Sequence, residues 1–256
     1  MKLLLQSDWQ ADNMTAPVKQ AIVELAWKGT EVTRIYMPLW SLQQLSNSDK
    51  LKYKDYTPIG TVEFVKTFAE KVGIELPKPI FPTELYELEN REWYINTREQ
   101  LNHWSYDGST PYPVFVKPLE EHKKFTGFVA KSDKDFDLYP EVDWNNTKLF
   151  CSQVIDNIVS EWRCYVLNGK VFACVNYVGD PLIFPNSREI ERMIQYFENS
   201  PVAYSLDIAI CKTGGIAESY KNKFLEINDA WALGYYGGDV EMYLKMQVER
   251  WKELTR

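Results

Sequence analysis

Glu161-Trp-Arg163-Cys-Tyr-Val-Leu-Asn168-Gly169-Lys-Val-Phe-Ala-Cys174-Val-Asn176-Tyr-Val178 is a run of β-branched and aromatic residues folded about an Asn-Gly pair. Asn-Gly suits the left-handed φ angles of a two-residue hairpin turn, so residues 161–178 read as a β-hairpin. With an uninterrupted ladder, Glu161 faces Asn176, Arg163 faces Cys174 and Tyr165 faces Phe172. Glu161, Arg163 and Asn176 then share one face. Around the hairpin, strand patterns recur at 112–118, 125–130, 149–155, 206–211 and 223–228, and helical spacing at 187–198 and 240–254. Many strands and few helices make this half α+β.

Toward the amino terminus the pattern changes to strand, helix, strand, helix. Residues 2–6 form a strand. A helix is expected from Thr15 as N-cap, with Pro17 in its first turn, to Lys28. Residues 31–37 alternate as a strand, 46–56 are polar, and 60–72 carry Val62, Val65, Phe68, Ala69 and Val72 at helical spacing before Gly73. This is a small layered α/β unit. Leu76-Pro-Lys-Pro-Ile-Phe-Pro82 is an extended linker, because each proline fixes its φ and disfavours helix before it. The expected domains are 1–75 and 76–256.

The chain has 256 residues, 45% hydrophobic and 25% charged, enough for a core without disulfide staples. Its formal charge of −7 argues against general affinity for nucleic acid or an anionic membrane. No apolar run approaches the ~20 residues of a membrane span, so a cytoplasmic location is expected. The four cysteines (151, 164, 174 and 211) include no C-x-x-C pair, and His103 and His122 are in polar, loop-like stretches away from them. A structural zinc site is thereby disfavoured, and the thiols read as reduced core residues. Chemistry in this chain falls to Lys, Arg, Asp, Glu and Asn. Nine tryptophans leave room for an aromatic homodimer interface.

Four motifs carry that chemistry. In Val114-Phe-Val-Lys117-Pro118 a lysine ends an apolar strand; it is either a snorkelling terminus or a charge aimed out of the sheet. Glu121-His-Lys-Lys124-Phe-Thr126-Gly127-Phe is a basic, glycine-containing loop, either an ordinary surface loop or a phosphate cradle. Glu161 and Arg163 form either a surface ion pair or a ribose acceptor with a phosphate clamp. In Phe224-Leu-Glu226-Ile-Asn228-Asp229, Glu226 and Asn228 share a face while Leu225 and Ile227 take the other. A carboxylate beside an amide oxygen suits Mg²⁺ held against phosphates. Asp207 sits in the apolar strand Ser205-Leu-Asp-Ile-Ala-Ile, where a lone buried carboxylate is costly. If its strand is the antiparallel neighbour of the one holding Glu226, three oxygen ligands converge.

The order of these motifs resembles the ATP-grasp superfamily. Phe115-Val-Lys-Pro, Lys124-Phe-Thr-Gly, Ser160-Glu-Trp-Arg-Cys-Tyr-Val and Leu225-Glu-Ile-Asn-Asp-Ala-Trp-Ala-Leu-Gly-Tyr look like a bacterial and phage clade in which lysine takes over from a phosphate-binding arginine. The resemblance covers roughly residues 76–256 and implies an α+β ATP-grasp fold of two lobes (roughly 76–150 and 151–256), preceded by a small α/β pre-ATP-grasp domain. It implies that Lys117 reaches the α- and β-phosphates of ATP, and that Lys124, Thr126 and Gly127 close over the β- and γ-phosphates. Gln153, Val154 and Ile155 would link the lobes and contact adenine, Glu161 the ribose, and Arg163 the transferred phosphate or a substrate carboxylate. Asp207, Glu226 and Asn228 would hold Mg²⁺. The implied activity is ATP-dependent ligation of a small-molecule or peptide carboxylate to an amine through an acyl phosphate. A non-catalytic binding protein on the same fold, or a kinase, are the alternatives. Two departures stand out: Ser205 occupies a position where arginine is frequent, and Asp229-Ala-Trp231 follows Asn228 in place of a Ser-Pro-Gly run. A lysine such as Lys170 or Lys212 would make good the first; Trp231, Gly234 and Tyr235 would line the acceptor pocket.

Overall fold

The computed structural model describes residues 1–104, 111–214 and 219–256. Along the chain run β1 (Lys2–Gln6), α1 (Asp12–Trp27), β2 (Thr33–Met37), α2 (Leu39–Gln43), α3 (Asn47–Tyr53), β3 (Thr57–Ile59) and α4 (Val62–Val72). After the extended segment 76–82 follow α5 (Thr83–Leu88), β4 (Trp93–Asn96), α6 (Arg98–Trp104), β5 (Val114–Pro118), β6 (Phe128–Ala130) and β7 (Leu149–Ser152). The chain closes with β8 (Ile158–Leu167), β9 (Lys170–Gly179), α7 (Ser187–Tyr196), β10 (Ala203–Thr213), β11 (Ser219–Asp229) and α8 (Val240–Leu254).

The described strands form three sheets: a parallel one ordered β2-β1-β3, and two antiparallel ones ordered β4-β7-β5-β6 and β11-β10-β8-β9. Alternation along β1 sends Leu3 and Leu5 into a core with α1, α8, Tyr165 and Leu167, and Leu4 into a second core with α4, Trp231 and Trp251. On the third sheet, Trp162, Cys164, Val166, Leu206, Ile208 and Phe224 pack under α7 together with Phe150 of the middle sheet. That shared cluster sets the spacing between the two antiparallel sheets. No helix among the described residues is long and apolar enough to cross a membrane.

Several expected elements shift, each for a local reason. Helix α1 starts at Asp12, and Thr15 lies inside it, its hydroxyl donating to the Ala11 carbonyl rather than capping. Pro17 is interior and cannot serve the Asn13 carbonyl, which accepts the Tyr235 N–H at 3.3 Å instead. The polar stretch 46–56 contains α3, and β3 follows it; neither was legible, nor were α5 and β4. His103 lies in α6, not in a loop, and its side chain is outside the described residues. The strand expected at 125–130 is paired only over Phe128–Ala130, and the one at 149–155 ends at Ser152.

The hairpin keeps its Asn168-Gly169 turn, with Leu167 opposite Lys170, but two bulges displace the register. Arg163 faces Val175, Tyr165 faces Ala173, and Glu161 faces Val178. Phe172 and Tyr177 are the additional residues, and nothing in an alternating pattern announces them. A third irregularity, at Leu225, makes Phe224 the core residue while Asp207 still faces Glu226.

Behind the third sheet, Arg250 of α8 grips Asp229 through Nε (2.8 Å) and Nη2 (2.6 Å), both residues being buried. Asp229 also accepts the Trp231 N–H, fixing the chain as it leaves β11. Replacing Arg250 by Met strands a buried carboxylate. A loss of about 3–5 kcal/mol in unfolding free energy is expected from urea denaturation; a change below about 1 kcal/mol would show the pair to be dispensable.

Candidate active site

Alternation along β8, β10 and β11 brings the polar residues of the third sheet to one face. Asp207 is 1% exposed and receives Arg163 in a two-pronged contact, Nε to Oδ1 at 2.9 Å and Nη2 to Oδ2 at 2.6 Å. Ser205 Oγ donates to Asp207 Oδ1 at 3.2 Å, and Asn228 Nδ2 donates to both Asp207 Oδ2 (3.2 Å) and Glu226 Oε1 (2.8 Å). Burial pushes the Asp207 carboxyl up to about 6, and the bonded Arg163 guanidinium opposes that shift.

Lys117, at the end of β5, belongs to the middle sheet, yet its ammonium lies 3.7 Å from Glu226 Oε2 on the third sheet. Its side chain is only 12% exposed and passes over the rings of Phe81 and Phe150. Burial lowers its pKa and Glu226 acts against that. The cleft between the two sheets therefore holds Lys117, Glu226, Asn228, Asp207 and Arg163.

The loop between β5 and β6 runs over this cleft. Gly127 lies directly on Lys117: a Cβ there would stand 3.2 Å from Lys117 Cβ and 2.8 Å from Phe115 Cζ. His122 bonds the Pro77 carbonyl through Nε2 at 3.0 Å and meets Trp231 edge-on at 5.0 Å, so the loop is tied to the linker and to the turn after β11. Thr126 is exposed, and Lys124 pairs with Glu121 at 2.8 Å. Gln153, Val154 and Ile155 form the irregular segment joining β7 to β8, and so the two sheets, with Gln153 N–H donating to the Glu92 carbonyl. Glu161 is half-buried and interacts with the Tyr177 hydroxyl.

Sequence reasoning missed three participants. Lys123 has a φ of 57° and lies in the field of Arg163. Tyr236 lies under the Arg163 guanidinium at 4.4 Å and stacks on Tyr177, and its N–H is held by the Tyr165 hydroxyl at 2.8 Å. Arg91 is buried against Tyr86 and donates to the Phe224 carbonyl at 2.7 Å. Only the Gly-Tyr-Tyr-Gly-Gly run hinted at the second. Among the described residues, no group of three or more His, Cys, Asp or Glu is arranged to hold a metal ion. The set Glu226 and Asn228 does fit a hard cation that takes its remaining oxygens from phosphates, since Asn228 keeps its Oδ1 and Glu226 is partly open.

The fold is similar to those of solved structures. D-alanine–D-alanine ligase from Bacillus anthracis aligns over 100% of this chain and 98% of its own, with TM-score 0.56 and 13% identity. A RimK domain ATP-grasp protein from Sphaerobacter thermophilus aligns over 97% and 96% (TM-score 0.55, 15% identity), and D-cycloserine synthetase DcsG over 98% and 99% (TM-score 0.53, 10% identity). At these identities the likeness establishes the fold. Comparison with curated protein sequences finds no match. The model of the ATP-grasp domain, R2K clade family 2, matches residues 90–246, more than half of the chain and the whole span from Arg91 through Asn228. The chain belongs to that family of ATP-grasp domains.

Proposed function

We propose that the protein is an ATP- and Mg²⁺-dependent carboxylate–amine ligase acting on a small-molecule or peptide substrate through an acyl phosphate. The observation that carries this reading is the meeting of Lys117 with Glu226 across two sheets, beside Asn228 and the Arg163–Asp207 pair. A cleft with Lys117 on one wall, and Arg163 among oxygen donors on the other, suits a polyphosphate and its metal. The Bacillus anthracis ligase of the same fold has been solved in complex with ATP (TM-score 0.55, 13% identity).

In this reading, Lys117 binds the α- and β-phosphates, and the loop with Lys124, Thr126 and Gly127 shields the β- and γ-phosphates from water. Gln153, Val154 and Ile155 offer backbone groups to adenine, and Glu161 faces the ribose. Glu226 and Asn228 would hold Mg²⁺, which when bound neutralises phosphate charge. Asp207, whose two oxygens accept from Arg163, fixes the guanidinium and stands beside them as the third proposed ligand. Arg163 orients the transferred phosphoryl group or the carboxylate that receives it. The carboxylate oxygen forms the new bond to phosphorus as ADP leaves, and the amine then displaces phosphate to give the amide. The residues contribute positioning and electrostatics, which needs neither histidine nor thiol. With serine at position 205, a lysine elsewhere supplies the charge that arginine gives other members. Residues 1–75 are proposed as the pre-ATP-grasp domain and 76–256 as the ATP-grasp domain, working in the cytoplasm.

A second reading, nucleotide binding without turnover, is favoured by the closed Arg163–Asp207 contact. Release of ADP and phosphate only when a carboxylate and an amine are both supplied decides for the ligase. Tight Mg-ATP binding with no turnover across a panel of amino acids and peptides decides for the binder. In the ligase, Glu226→Gln and Lys117→Met each lower kcat/KM for ATP by about 10²-fold or more while circular dichroism stays unchanged; wild-type turnover in either variant removes the site.

The pH dependence has a definite sign. Lys117 must be protonated to bind phosphate, and its pKa in the free protein is depressed by burial. The alkaline limb of kcat/KM for ATP therefore falls below the ordinary lysine value, and Lys117→Arg moves it upward. A limb that does not move with Lys117→Arg assigns the titration elsewhere.

A further inference from the structure

We propose that Cys164 and Cys174 form a reversible redox site, a disulfide across the β8–β9 hairpin made by exchange with a low-molecular-weight disulfide. In an uninterrupted ladder Cys174 would face Arg163. The bulge that adds Phe172 moves the register by one residue and sets Cys174 opposite Cys164 instead. Residues directly opposite on antiparallel strands have Cα atoms about 4.5–5.5 Å apart. Disulfides span about 4.4–6.8 Å between Cα atoms, so the backbone already stands within bridging range.

Packing supports the pairing. Cys164 is fully buried in the apolar cluster under α7, and Cys174, partly exposed, packs against the same cluster. The Cys164 thiol is held well above the usual range by a hydrogen bond with Cys174 first and by burial second. The other two thiols stand elsewhere. Cys151 lies in β7 of the middle sheet, and Cys211 of β10 faces Ile158. Both are buried, and burial pushes their thiols up to about 12 and about 11. Access from solvent and a facing thiol therefore coincide at Cys174.

The exchange runs in two displacements. The Cys174 thiolate attacks one sulfur of the small disulfide, which forms a mixed disulfide and expels one small thiolate. Cys164 then attacks Cys174 Sγ, and the second small thiolate leaves. The protein pair is oxidised, the small disulfide is reduced, and the two protein protons end on the two thiols released. In a reducing compartment such a bridge is transient and senses redox state. It also has a structural consequence. The pair lies between the two bulges, one residue from Arg163, so the bridge locks the register that aims Arg163 at Asp207.

Incubation of the folded full chain with glutathione disulfide, followed by alkylation of free thiols and peptide mapping by mass spectrometry, tests this. Wild type should lose two hydrogens in intact mass, link Cys164 to Cys174, and return to its starting mass with dithiothreitol. Cys164→Ser should stop at the mixed disulfide and keep one glutathione on Cys174. Cys174→Ser should gain neither modification, and Cys211→Ser should form the bridge as wild type does. Hydrogen exchange across 162–176 should slow at least about twofold in the bridged protein. Absence of the Cys164–Cys174 link in wild type, or a two-hydrogen loss that persists in Cys164→Ser, overturns the site. The wild-type map decides by itself if a variant does not fold. A bridge that leaves exchange in the hairpin unchanged overturns the lock on Arg163.

Discussion

A lysine ammonium drawn out of water needs an anion beside it, and Lys117 finds one on a different sheet. Its carbon stem lies over Phe81 and Phe150, and its charge reaches Glu226. That contact requires β5 and β11 to stand at a fixed separation. Phe150 of the middle sheet provides it by packing against Tyr86 of α5 and into a cluster with Trp162 and Phe224 of the third sheet. The hydrophobic core thus sets the width of the cleft, and the ion pair spans it. The carbonyl of Phe224 accepts from buried Arg91 while its N–H donates to Glu89 Oε1, which holds β11 in register behind the site.

The amino-terminal sheet supports the same site from below. Leu3 and Leu5 share a core with α8 and with Tyr165 and Leu167 of β8. The Asn13 carbonyl, freed by Pro17, takes the Tyr235 N–H, so the loop that carries Tyr236 under Arg163 is fastened to α1. Arg250 and Asp229 fix the start of that loop. Local irregularities, a proline inside a helix and a strand end gripped by a buried arginine, determine where the aromatic wall of the cleft stands.

Much of this was legible in the sequence because it follows from short-range chemistry. Asn168-Gly169 fixes the hairpin turn, Gly73 ends α4 in the left-handed conformation, and the acid in an apolar strand at Asp207 demanded a partner. The neighbourhood of Asp207, Glu226 and Asn228 followed from strand order once β10 and β11 were taken as antiparallel. What escaped was the position of bulges. Phe172, Tyr177 and Leu225 each add a residue to one strand, and alternation alone has no means of marking the extra one. The partner of Arg163 was hidden for a related reason. Asp207 is distant in sequence and lies opposite it only through the β8–β10 ladder.

In the proposed function, the cleft between the two antiparallel sheets is a single nucleotide site, closed by the loop from β5 to β6. Hydrogen exchange measured by mass spectrometry, with and without an ATP analogue and Mg²⁺, addresses it most directly. Slower exchange on binding is expected in 114–127 and in 222–229 together, from opposite walls of the cleft, and in the joining segment 153–155. Protection confined to one sheet, or found on neither, would contradict it.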